Sequence, residues 1–161
     1  FVKTLTFTHY TVKDINPEPW RKTWETLEAF CKSMAPKAAL LDIRLAARQV
    51  ELEDYYEDSL MCGNLVTVAC PDGGTPETPI EDILGLELDF APCEGCVTPA
   101  GGGFPCRMFR DSKGEEHMAL PEAFFTDTFM RTVFRAKYGG ECGGSCASCA
   151  GCEKEHNDGT H

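Results

Sequence analysis

The residue pattern predicts an α/β domain: a βαβ opening, then further short strands, a β-hairpin and a C-terminal helix. Three observations carry that reading. Apolar residues alternate near the start, a stripe spaced by three and four lies between two such strands, and a glycine turn stands shortly before a long amphipathic run.

Residues 2 to 10, VKTLTFTHY, set Leu5 and Phe7 on one side and Thr4, Thr6 and Thr8 on the other, as a half-buried first strand does. After the loop TVKDINPEP, the residues Trp20, Trp24, Leu27, Cys31 and Met34 recur at intervals of three or four and make one face of an amphipathic helix. Pro19 suits the first turn, and Pro36 marks the expected end. Residues 39 to 52, ALLDIRLAARQVEL, alternate Leu41, Ile43 and Leu45 with Asp42 and Arg44 and read as a second strand. A crossover of this length sets the two strands parallel, with the helix on one face of the sheet.

ELEDYYEDS follows as an acidic, solvated helix or loop. NLVTVAC, residues 64 to 70, is β-branched, lies between Gly63 and Pro71, and reads as a buried strand. PDGGTPETP is expected to be a loop, and PIEDILGLEL to hold a short helical segment. In CRMFRDSKGEEHMAL the turn DSKG makes a hairpin, with Met108 and Arg110 answered by His117 and Ala119. Pro121 opens the last helix, in which Phe125, Phe129 and Val133 stand at i, i+4 and i+8, and Gly139 and Gly140 stop it. The expected division is a domain over residues 1–138 and a cysteine-rich tail over 139–161.

This order of elements resembles the thioredoxin-like fold. From about Asn64 to Tyr138 the pieces PIEDILG, CEGC, CR, a glycine turn and MALPEAF are also similar to a family of uncharacterised bacterial and archaeal thioredoxin-like domains. The resemblance implies a fold and a use for thiols, and no established activity.

Lys and Arg number 15 against 26 Asp and Glu, a formal net charge of −11, which argues against nucleic acid, whose phosphates need basic residues. No apolar run approaches the roughly 20 residues that span a bilayer, and FVKTLTFTHY alternates where a signal peptide would be uniformly apolar, so the expectation is a soluble chain with no membrane partner. Ten cysteines, six of them in one CxxC pair and one group of four, point to metal or redox use in a reducing, cytoplasmic setting.

Cys93 and Cys96 form a CxxC, with Cys106 ten residues beyond. Such a pair serves as a zinc half-site or as a redox dithiol. In thioredoxins the reactive pair stands where the first strand meets the first helix, whose N-terminus lowers the thiol pKa; here that loop, TVKDINPEP, has no cysteine. The pair sits instead in APCEGCVTPAGGG, expected to be a turn-rich loop, with the glycines as a hinge. Cys93, Cys96 and Cys106 can place three sulfurs around one soft ion, and Arg107 beside Cys106 is expected to favour its thiolate. The plainer reading is a disulfide-pinned loop, or thiols buried as small apolar groups.

The tail carries Cys142, Cys146, Cys149 and Cys152, spaced Cx3CxxCxxC, the bacterial ferredoxin gaps in reverse order. Four thiolates beside Glu141, Glu153 and Glu155 need a cation, and tetrahedral sulfur fits zinc or an iron–sulfur cluster equally. His156 and His161 are auxiliary candidates, and a Gly-rich tail with free or oxidised thiols is the plainer alternative. His9, Met61, Cys62 and Cys70 are expected to be core residues.

Two functional readings follow. One is a binding module that holds a soft metal, a metalloid or an iron–sulfur cluster and passes it, or electrons, to a protein partner in a redox or metal-handling complex. The other is a thiol–disulfide oxidoreductase in which Cys93 attacks, Cys96 resolves and the tail relays.

Overall fold

The computed structural model describes residues 1–53, 60–97 and 103–138, and for 92–97, 103 and 104 it describes the backbone alone. The strand β1 (Lys3–Val12) organises the molecule, pairing on one side with β2 (Ile43–Leu52) and on the other with β3 (Val66–Cys70). Leu5, Phe7 and His9 alternate onto one face and are fully buried; on the other face Thr4 and Thr6 are only partly covered, but Thr8, expected beside them, is buried and accepts from Arg48 Nε at 3.0 Å.

The helix α1 (Glu18–Leu40) joins β1 to β2, which are parallel from Lys3↔Ile43 to Val12↔Leu52. Pro17 precedes it and Pro19 lies in its first turn, where a missing N–H is harmless. Its buried residues include Trp20, Leu27 and Cys31, with Trp24 and Met34 partly covered, so the expected stripe faces the sheet. Pro36 does not end the helix: the turn continues through it to Leu40, and β2 starts only at Ile43. A proline removes one i→i−4 bond, but Ala38, fully buried, keeps the last turn on the core. Asp42 then takes a left-handed φ of 58°, which Asp tolerates, and redirects the chain.

β3 runs antiparallel to β1, and β4 (Thr75–Pro79) antiparallel to β3, giving a sheet ordered β2-β1-β3-β4. The segment PDGGTPETP was expected to be a loop, and its second half is this strand. Two prolines hide the strand pattern, and β4 accommodates them because it is an edge strand, where N–H groups on one side have no ladder partner.

The helix α2 (Ile80–Leu84) ends at Gly85, whose φ of 68° gives the reversal into β5 (Glu87–Val97). β5 pairs with β6 (Gly103–Arg110), and β6 with the short β7 (Glu116–His117), a second, antiparallel sheet. The DSKG hairpin forms, with Phe109 opposite His117 and Arg110 opposite Glu116, a register one residue from the expected one. The last helix, α3, spans residues 122–138.

Phe7 meets Phe30 of α1 at 6.1 Å and Phe125 of α3 at 5.9 Å, and Phe30 meets Phe129 at 6.3 Å, so both long helices cover the same face of β1. The larger hydrophobic cluster reaches from Leu5 to Ala136 and takes in Phe109 and Leu120 beyond the first sheet.

Candidate functional site

The backbone of CEGC belongs to β5, so the expected turn-rich loop is replaced by a strand with a break in it. Ala91 faces Cys106 and Pro92 faces Pro105; the next pair is Val97 with Gly103. Between those pairs β5 holds Cys93, Glu94, Gly95 and Cys96, where β6 holds Phe104 alone. The extra residues are an excursion from the ladder, the kind of interruption that re-aims a strand next to a site. Prolines at 92 and 105, lacking N–H groups, and the glycines at 95 and 103 weaken regular pairing at this point. The residues 98–102, including two of the glycines expected to be a hinge, lie outside the described residues, as do the side chains of Cys93 and Cys96.

Cys106 is buried in one apolar cluster with Val12 at the end of β1, Ile15 just beyond it, and Trp20 in the first turn of α1. Burial pushes its thiol up to about 11, moderated by a hydrogen bond from Trp20. The same indole packs on the chain before β3: a Cβ on Gly63 would lie 2.1 Å from Trp20 Cη2, so only glycine fits there. Cys62, half-buried and free, is the neighbouring residue.

Arg107 does not activate Cys106, contrary to the sequence expectation. Successive strand residues point to opposite faces, and Arg107 is turned to the carboxylate of Glu81, also buried, and donates to the Met61 carbonyl at 2.8 Å. Its guanidinium stands 5.8 Å from the ring centres of both Phe90 and Phe109. Arg107 is therefore a staple. It ties β6 to α2 and to the chain entering β3, and so holds the strand that carries Cys106.

The tail thiols Cys142, Cys146, Cys149 and Cys152, with His156 and His161, lie outside the described residues. Among the expected core residues, His9 and Cys70 are fully buried, whereas Met61 is 38% exposed. Burial also raises the thiols of Cys70 and of Cys31, the latter to about 12.

Sequence reasoning missed a polar relay around His9. Asn64 donates through Nδ2 to the Met118 carbonyl at 2.7 Å, which leaves its Oδ1 to accept from His9 Nε2 at 2.9 Å. His9 Nδ1 then accepts from Gln49 at 3.1 Å, so the ring is neutral with both nitrogens satisfied, stacked on Trp24. Desolvation lowers the His9 pKa, opposed by the bond to Asn64. Also missed were ligand atoms of Asp111, Glu115 and His117, which lie within 4.8 Å of one another on the hairpin turn. Asp111 Oδ1 there accepts from the backbone amides of Lys113 and Glu115, and Oδ2 faces His117 Nε2 at 3.1 Å, so turn chemistry accounts for the grouping. The DxxxExH spacing was the available signal.

Among the described residues no helix is long and apolar enough to cross a membrane. No curated protein and no solved structure matches the chain. A family described as a domain of unknown function, DUF2703, does match, over residues 4–128. That span includes the CEGC excursion and Cys106 and stops before the four-cysteine tail. The chain belongs to the DUF2703 family.

Proposed function

We propose that this chain is a thioredoxin-like module that binds a soft metal, a metalloid or an iron–sulfur cluster through its thiols and hands the ion, or electrons, to a protein partner. The observation that carries the reading is the break in the β5–β6 ladder at Cys93–Cys96, flanked by the register pair Ala91↔Cys106. Amides released from cross-strand pairing are available to the sulfur ligands of an ion or cluster. Cys106, held protonated by burial, becomes a thiolate only beside a cation, so uptake there releases a proton. Cys142, Cys146, Cys149 and Cys152 supply a second four-sulfur set of the kind zinc or an iron–sulfur cluster accepts. The order β2-β1-β3-β4, with β3 antiparallel to its neighbours and both long helices on one face of β1, supports the thioredoxin-like part. The reduced thiols of Cys31, Cys62, Cys70 and Cys106, none of them in a disulfide, suit a reducing compartment such as the cytoplasm.

Protein prepared anaerobically is expected to carry zinc, or iron with sulfide. Cys93→Ser with Cys96→Ser should remove one part of that complement, and deletion of residues 139–161 the other. Metal-free protein whose spectrum does not respond to zinc, or to iron and sulfide, overturns the proposal.

One observation favours the oxidoreductase reading: Cys106 touches Trp20, so the thiol-bearing hairpin comes to the first turn of α1, where thioredoxins keep their reactive pair. In that reading Cys93 attacks a disulfide and Cys96 resolves it. Metal-free protein that reduces insulin disulfides, with the activity lost in Cys93→Ser, would decide for it.

A further inference from the structure

A surface that the thiol chemistry does not use lies on the outside of α3. The inner face of this helix is buried through Phe124, Phe125, Phe129 and Val133, but Met130, Phe134 and Tyr138 are 56%, 61% and 57% exposed. These three recur at intervals of four and so form one apolar stripe, with the rings of Phe134 and Tyr138 5.1 Å apart. Exposed Glu122 and Asp127 stand in the first half of the helix and exposed Arg131, Arg135 and Lys137 in the second, with Arg131 turned aside to donate to the Ile83 carbonyl at 3.0 Å. The helix macrodipole favours that order of charges, but it gives no reason for apolar side chains in water between them.

We propose that the outer face of α3 is the contact of a homodimer in which two copies of the helix lie antiparallel. Acid first and base last is complementary to itself only in the antiparallel sense; a parallel pair sets like charges together. A two-fold axis beside Met130 brings Ala123 against the partner's Tyr138, small against large, and Asp127 against the partner's Arg135. Seventeen residues of helix, 122–138, give a contact line of about 25 Å. The inference stands apart from the thiol reading, because none of its residues is a cysteine.

The test is sedimentation equilibrium of the full chain with reductant present, which excludes disulfide-linked pairs. The expected mass at high micromolar concentration is twice 17.7 kDa. Phe134→Glu, a change at an exposed position, should return the monomer with an unaltered circular dichroism spectrum. Asp127→Arg should weaken association at least tenfold, and adding Arg135→Asp should restore it. A monomer at every concentration, a dimer indifferent to Phe134→Glu, or a double variant no better than the single one overturns the proposal.

Discussion

Cys106 and His9 are ionisable groups that burial holds neutral, and the two respond to pH in opposite directions. For His9 the folded pKa lies below its ordinary 6.5, so the folded state resists taking up a proton that the unfolded chain accepts. The contribution is whole above pH 6.5 and is lost as pH falls below it, so the urea midpoint should drop on acidification through that range, and less so in His9→Gln. For Cys106 the folded value of about 11 lies above the ordinary 9.0, so stability is whole below pH 9 and falls as pH rises from there. In metal-free native protein at pH 8, alkylation mapped by mass spectrometry should therefore spare Cys106 and proceed once denaturant is added. Gly63→Ala is a steric test at the same pole. Its methyl would meet the buried indole of Trp20, and the expected cost is about 1–3 kcal/mol in equilibrium unfolding.

The helix α1 and the staple between β6 and α2 make predictions at the scale of elements. Leu27, fully buried on the inner stripe of α1, should cost about 2–5 kcal/mol when replaced by Ala. Arg107→Ala leaves the Glu81 carboxylate buried without its partner and should cost about 3–5 kcal/mol, while Arg107→Met combined with Glu81→Gln should cost less. Chemical denaturation of each variant checks both. The elements legible in the sequence were those whose own periodicity decides their state. β1 alternates, α1 carries its stripe, and the DSKG turn fixes a hairpin. β4 and the CEGC part of β5 were not legible. Their prolines and glycines oppose strand formation locally, and only pairing with β3, and with β6 on either side of the CEGC break, overrides that. The same limit applies to the site. CxxC is visible as a spacing, but Cys106 meeting Trp20 joins positions 86 residues apart, and only the folded chain brings them together. Arg107 misled because adjacency in a strand means opposite faces.

At the scale of the whole molecule, the larger hydrophobic cluster runs, among the described residues, from Leu5 to Ala136, and truncation after Tyr138 should leave the melting temperature within a few degrees of the full chain. Scanning calorimetry of metal-free samples measures this directly. The sheet's two borders bear on a different property. At one border β4 contributes Pro76 and Pro79, so two of its five residues have no N–H to offer an incoming strand. At the other, β2 carries Arg44, Arg48 and Glu51, charges that a docking strand would have to bury. A sheet fenced in this way is a poor template for the edge-on stacking that builds fibrils, and the acidic surplus adds mutual repulsion. Concentrated solutions of the reduced protein should therefore bind little thioflavin, with growth through the four-stranded sheet blocked at both of its rims.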